Sequence, residues 1–208
     1  MAIEGHTGRR RRSDGERSRQ AILEAAGKRA TMQGLDGLTI GSLAEEIGMS
    51  KSGLYAHFGS KEELQLATVA AAERVFEDDV VVPAQAAEPG LPRLDALCEG
   101  FMAHVQSGVF PGGCFFTSVM AEFDTRPGPV RDRVAMYVIN WVGGIRAEAI
   151  EAQRQGQIAA DADVDQLTFE IQAALIMANT LWVLTQDPSA FDRARTAVGS
   201  RIALARTH

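Results

Sequence analysis

TIGSLAEEIGMSKSGLYAHFGSKEEL, residues Thr39 to Leu64, decides the fold. Ile40, Leu43, Ala44 and Ile47 recur at helical spacing behind Thr39, a natural N-cap. Gly48 stops that short helix and supplies the left-handed backbone a tight turn needs. Ser50 caps a second short helix that ends near Phe58-Gly59. Ser60 and Glu63 then form a capping box that opens a longer helix. Two short helices joined at Gly48-Met49 have helix-turn-helix spacing. Ala44 falls where they cross, and a larger side chain there would push them apart.

The second of these helices has little to bury. Leu54 and Phe58 are its apolar pair, resting with Ile40, Leu43, Ile47 and Met49 on neighbouring helices. Its other side is polar, and its first turn carries Ser50, Lys51, Ser52 and Gly53. Hydroxyls, a positive charge and free N–H groups at a helix N-terminus suit an anion. In a helix-turn-helix protein those first residues reach base edges. Gly53 keeps the helix surface low for close approach to a duplex. Tyr55 and His57 can donate to phosphates, which sets register without reading sequence. Lys61 can meet a further phosphate.

Charge follows the same division. Residues 1–61 hold 10 Lys/Arg and 7 Asp/Glu, a net +3, within a chain of net charge −6. The remainder is therefore −9, and all three lysines (28, 51 and 61) lie in the basic part. A basic head on an acidic body suits contact between the head alone and a polyanion. The run Arg9–Arg12 is either a plain irregular tail or an arm that adds phosphate or minor-groove contacts.

The chain of 208 residues divides into an irregular basic arm, 1–12, a helix-turn-helix domain, 13–60, a connecting helix, 61–82, and a larger body, 83–208. The first helix opens at a Ser13/Glu16 capping box and ends at Gly34. Pro83 stops the connecting helix, and a proline-rich linker follows to Pro92. Helices are predicted at about 91–107, 114–124, 129–155, 164–186 and 188–206. No segment alternates at period two, so the fold class is all-α with about nine helices. No apolar run reaches the roughly 18 residues of a membrane span. No signal peptide is apparent, which makes a cytoplasmic location the expectation.

Thr39 to Leu64, with the helix before it, resembles the DNA-binding signature of the TetR/AcrR family of transcriptional regulators. The resemblance is specific over about 15–64, where capped short helices, turn, the LYxHF core and the SKEEL restart occur together. It implies DNA contacts at Thr39, Ser50, Lys51, Ser52, Gly53, Tyr55, His57 and Lys61. It also implies a homodimer, with the last two helices of each subunit forming a four-helix interface, and an inducer pocket among the middle helices. Ala56 departs from the pattern, because members often carry a larger residue there.

The body must then accommodate an apolar surplus. Phe101, Met102, Val105, Phe115, Phe116, Val119, Met120, Phe123, Tyr137, Trp141, Met177 and Trp182 are either ordinary core or the lining of an adaptable pocket. His104, Asn140, Asn179 and Cys114 are candidate polar groups within it. Helix 164–186 is apolar nearly all round, with small Ala173, Ala174 and Ala178, and with helix 188–206 it is the expected dimer face. A symmetric dimer suits a palindromic site. Two cysteines and four scattered histidines provide no metal framework, and no cofactor is expected. GxxxxGK, HExxH, GxSxG and CxxC are absent, which leaves no enzyme signature. The function expected is a repressor released from its operator by a small, largely apolar molecule. The alternatives are an activator of the same fold, or a helical ligand-binding or scaffold protein without an operator.

Overall fold

The computed structural model describes residues 5–123 and 125–206, with side chains from residue 15 onward. Nine helices and no strand occur among the described residues. They are α1 (Gly5–Gln33), α2 (Ile40–Glu46), α3 (Lys51–Phe58), α4 (Lys61–Phe76, with an extension), α5 (Leu91–Ser107), α6 (Phe115–Phe123), α7 (Pro129–Arg154), α8 (Val164–Thr185) and α9 (Ser189–Arg206).

α1 differs from the sequence reading at its start. The backbone is helical from Gly5, so Ser13 lies inside the helix rather than at its cap. Arginine is a good helix former, and extending a helix already anchored downstream needs no new nucleus. Residues 1–4 and the side chains of Arg9–Arg12 lie outside the described residues, so the arm's contacts are not placed. At its other end α1 stops before Gly34, whose φ of 85° only glycine adopts freely.

The next three helices start where their caps predict. Thr39 accepts from the Ser42 N–H at 3.2 Å, Ser50 from Gly53 at 3.1 Å and Ser60 from Glu63 at 3.1 Å. Gly48 turns the chain at φ 68°, and the Met49 N–H reaches back to the Ala44 carbonyl at 2.9 Å. Beneath them Ile22, Leu23, Ala26, Leu35, Leu38, Ile40, Leu43, Ala44, Leu54, Phe58 and Leu64 form one buried layer.

Pro83 does not stop α4. The helix passes into a π-helical turn, Glu77–Val81, and a last turn, Val82–Ala84. There the Val82 N–H bonds the Glu77 carbonyl, five residues back. The wider turn makes room where the proline ring would otherwise meet the preceding turn. Gly100 of α5 permits it, since a Cβ there would lie 3.2 Å from Val80 Cγ1 and 3.4 Å from Val80 Cα.

In the body, α7 packs on α4, α5, α6 and α8, while α8 and α9 pair along their lengths. Asp163 caps α8 through bonds from the Asp165 and Gln166 N–H groups at 3.1 and 2.9 Å. α8 has 22 residues, and its most apolar 18-residue window has a mean hydropathy of 1.4, long and apolar enough by length and composition to cross a membrane, as core helices of soluble proteins also are. Its inner side belongs to the body: Asn179 accepts from the Cys114 N–H at 2.8 Å and Gln172 from Trp141 at 2.9 Å. Its outer side bears Phe169, Ala173, Met177, Leu181 and Leu184, all exposed in the protomer.

Candidate nucleic-acid interface and ligand cavity

The head leaves six of the eight predicted DNA contacts exposed. Ser50, Lys51, Ser52 and Tyr55 are exposed at the start of α3, with Gly53 and His57 half-buried beside them. Tyr55 is 54% exposed, unusual for an aromatic side chain in a small apolar head. Thr39 and Lys61 are exposed at the starts of α2 and α4. Gly53 has a second reason to be glycine, because a Cβ there would come 3.1 Å from the capping Ser50 Oγ. The Lys51 stem lies over Gly41 of α2, its Cε 3.5 Å from where a Cβ would stand. Arg19 of α1 braces the far end of α3. It donates to the His57 carbonyl at 2.8 Å and stacks 4.4 Å over the Phe58 ring. A cation there complements the helix dipole.

A junction joins this head to the body, and sequence reasoning missed it. Glu122, near the end of α6, accepts from the Leu35 N–H at 2.8 Å and the Asp36 N–H at 2.7 Å. Gly34 lets it approach, since a Cβ there would lie 2.9 Å from Glu122 Oε1. Asp36 is held in turn by Lys61 at 3.1 Å and Arg126 at 2.7 Å, and these two cations depress its pKa. Gln65 of α4 donates to the Leu35 carbonyl at 2.8 Å in buried surroundings. These pairs are 86 and 87 residues apart in sequence, and no local pattern announces them.

The other end of α6 meets an aromatic cavity of 20 Å³. Of the predicted ligand residues, Phe101, Phe116, Met120, Tyr137 and Trp141 line it, joined by Phe76, Cys114, Thr117, Val138 and Gln172. Phe76 could have been found from the spacing of Val69, Ala72, Phe76 and Val80 along one side of α4. Phe116 and Tyr137 stack with centroids 3.9 Å apart, which closes much of the space. Met102, Val105, Phe115, Val119 and Phe123 are buried but do not line this cavity; Phe123 borders a separate groove beside Met120. Met177 is corrected outright, since it is 55% exposed on the outer side of α8. Trp182 packs on Phe191, 5.5 Å between ring centroids.

The candidate polar groups have structural partners or face out. His104 is buried with Nδ1 2.9 Å from Asp79 Oδ2. Burial pushes its pKa down, while the Asp79 carboxylate opposes that shift. Asn140 is exposed, and Asn179 serves the Cys114 backbone. Cys98 and Cys114 are free buried thiols; burial pushes Cys98 up to about 12 and also raises Cys114. Among the described residues no group of three His, Cys, Asp or Glu side chains could hold a metal.

A capped helix-turn-helix head keyed to a helical body with an internal aromatic cavity defines a ligand-responsive DNA-binding regulator. The chain belongs to the tetR family of bacterial regulatory proteins. That family's N-terminal model matches residues 22–68, and the tetracyclin repressor-like C-terminal domain matches 90–198. No curated protein matches the chain. Among solved structures, a TetR transcriptional regulator from Chloroflexus aurantiacus J-10-FL is 24% identical, with a TM-score of 0.83 over 92% of this chain and 96% of that one. A TetR-family regulator from Cytophaga hutchinsonii is 19% identical, with a TM-score of 0.80 over 94% and 98%. AibR in complex with isovaleryl coenzyme A and operator DNA is 22% identical, with a TM-score of 0.72 over 88% and 96%. Family members bind operator DNA and small molecules, act as dimers and are generally non-enzymatic.

Proposed function

We propose that the protein is a cytoplasmic, non-enzymatic repressor whose two heads grip a palindromic operator. Thr39, Ser50, Lys51, Ser52, Gly53, Tyr55, His57 and Lys61 make the contacts. The working units are the head, 13–60, the connecting helix, 61–82, and the sensing and dimerising body, 83–208. The observation that carries this reading is the exposed, polar start of α3, which its own capping leaves unobstructed. Selecting bound duplexes from a random pool should return an inverted repeat, because a two-fold dimer reads both halves alike. Affinity for that duplex should fall steeply as salt rises, through counterion release. An asymmetric site, or binding indifferent to salt, would sink the proposal.

A small, largely apolar molecule in the aromatic cavity releases the DNA. The ligand must part the Phe116 and Tyr137 rings, because the cavity now has room for about one water. Phe116, Thr117 and Met120 sit on the same nine-residue helix as Glu122, so displacing them moves the carboxylate that holds residues 35 and 36. α4 is the second route, running from Lys61 at the head to Phe76 at the cavity. Both routes bias one two-state choice of head position. Glu122→Ala should unlock the first. Losing two hydrogen bonds to a charged acceptor should cost about 3 kcal/mol in urea unfolding. Amide exchange at Leu35 and Asp36 should accelerate; unchanged exchange there would exclude Glu122 as the connection.

A further inference from the structure

The cavity is built from ring faces and edges. Phe76 stands at its centre, with ring centroids 5.0 Å from Trp141, 5.9 Å from Tyr137, 6.2 Å from Phe101 and 6.4 Å from Phe116. The Trp141 indole is fixed by its bond to Gln172. Tyr137 and Trp141 also form one wall of a neighbouring recess of 240 Å³, so the two spaces meet across these side chains. Glu77, Gln85, Arg93, Asn140 and Glu148 supply the polar lining of the recess.

The charges around the recess are not equally available. Arg93 is 3.5 Å from Glu148 and donates twice to the Ala87 carbonyl, at 3.2 and 3.0 Å. Glu148 also accepts from the Gly90 N–H at 2.8 Å. Nearby Glu73 is occupied by Arg133, at 2.6 Å for one of their two bonds. Glu77 remains: it is exposed and makes no ion pair among the described residues. It stands on the π-helical turn, and such turns concentrate at functional sites. An anion entering here would find its only cation already engaged. A cation would find the Glu77 carboxylate and the negative faces of the rings. Burial and the Glu77 and Glu73 carboxylates raise the Tyr137 pKa, so its phenol stays neutral beside such a guest.

We propose that the cavity and recess form one site for an amphipathic organic cation, its apolar part among the rings and its charge beside Glu77. This rests on the cavity being the ligand site and adds the sign of the ligand's charge. Titration calorimetry on the full chain without DNA tests it. The probes are benzyltrimethylammonium, its uncharged carbon isostere neopentylbenzene, and 3-phenylpropionate. The cation should bind at least about tenfold more tightly than the isostere, with no heat from the carboxylate. Glu77→Gln, at an exposed position, should weaken the cation about fivefold and leave the isostere unaffected. The proposal falls if the cation does not bind, if the isostere binds as tightly as the cation, if the carboxylate gives binding heat, or if Glu77→Gln leaves cation affinity unchanged. With no DNA present, none of these outcomes bears on operator recognition, whose failure would appear only in the duplex selection.

Discussion

Phe169→Asp combined with Leu184→Asp is expected to turn the dimer into monomers that keep their helical content. In the protomer the two side chains are 69% and 75% exposed, so each can be replaced without opening the core. They belong to a stripe with Ala173, Met177 and Leu181 on the outer side of α8, at the three- and four-residue spacing of one helix side. A contiguous apolar surface of this kind marks an interaction site. Two-fold symmetry presents each change twice, so four apolar side chains lose their burial. At about 1.5–3 kcal/mol each, minus what partial burial withholds, dimerisation should weaken by at least about 10³-fold. Four buried carboxylates add a desolvation penalty in the same direction. Sedimentation velocity reads the result directly. A dimer that survives would move the interface elsewhere, for instance to exposed Met136 and Ile139 on α7. Operator affinity should fall with the dimer, because the second head would no longer be delivered at high effective concentration.

Lys51→Ala with Tyr55→Ala should produce the other large loss, about 100-fold or more in operator affinity, with the dimer intact. Both side chains are exposed, and neither contributes to the buried layer under α3. Lys51 stands beside the free N–H groups of the first turn of α3, so a phosphate or base edge there meets dipole and charge together. Removing one cation per head should lower the slope of log affinity against log salt by about 2 across the dimer. Fluorescence anisotropy on the selected duplex at several salt concentrations measures both effects. An unchanged slope would mean that Lys51 does not touch a phosphate. Thermal unfolding of the variant should match the parent, which separates lost contact from lost fold.

What could be read from the sequence was local. Thr39, Ser50 and Ser60 each sit a few residues from the N–H groups they cap, and all three appear in the structure as caps. Asp163 did the same for α8. The features that escaped depend on partners distant in the chain. The π-helical turn that carries the chain past Pro83 fits only because Val80 meets a glycine, Gly100, of another helix, which Pro83 read alone could not reveal. Glu122 looked like one of many surface carboxylates. Its partners are backbone groups far upstream, and backbone groups leave no compositional trace. The apolar surplus of the body was plain, but its division was not: Met177 and Trp141 have similar character in a list of residues and face opposite ways in the fold.

Asp36 is shared by two cations, and sharing has a thermodynamic consequence. Its carboxylate holds Lys61 from the reading head and Arg126 from the body. A phosphate that recruits Lys61 leaves Asp36 to Arg126 alone, so occupancy of the groove and attachment of the loop to the body favour one another. A ligand that loosens that attachment therefore loosens DNA, and linkage makes the effect reciprocal: the factor by which a ligand in the body loosens DNA is the factor by which DNA loosens that ligand. Chromosomal sites would then set the threshold concentration at which the sensor responds, and free protein would answer to less of the same signal than protein seated on its operator.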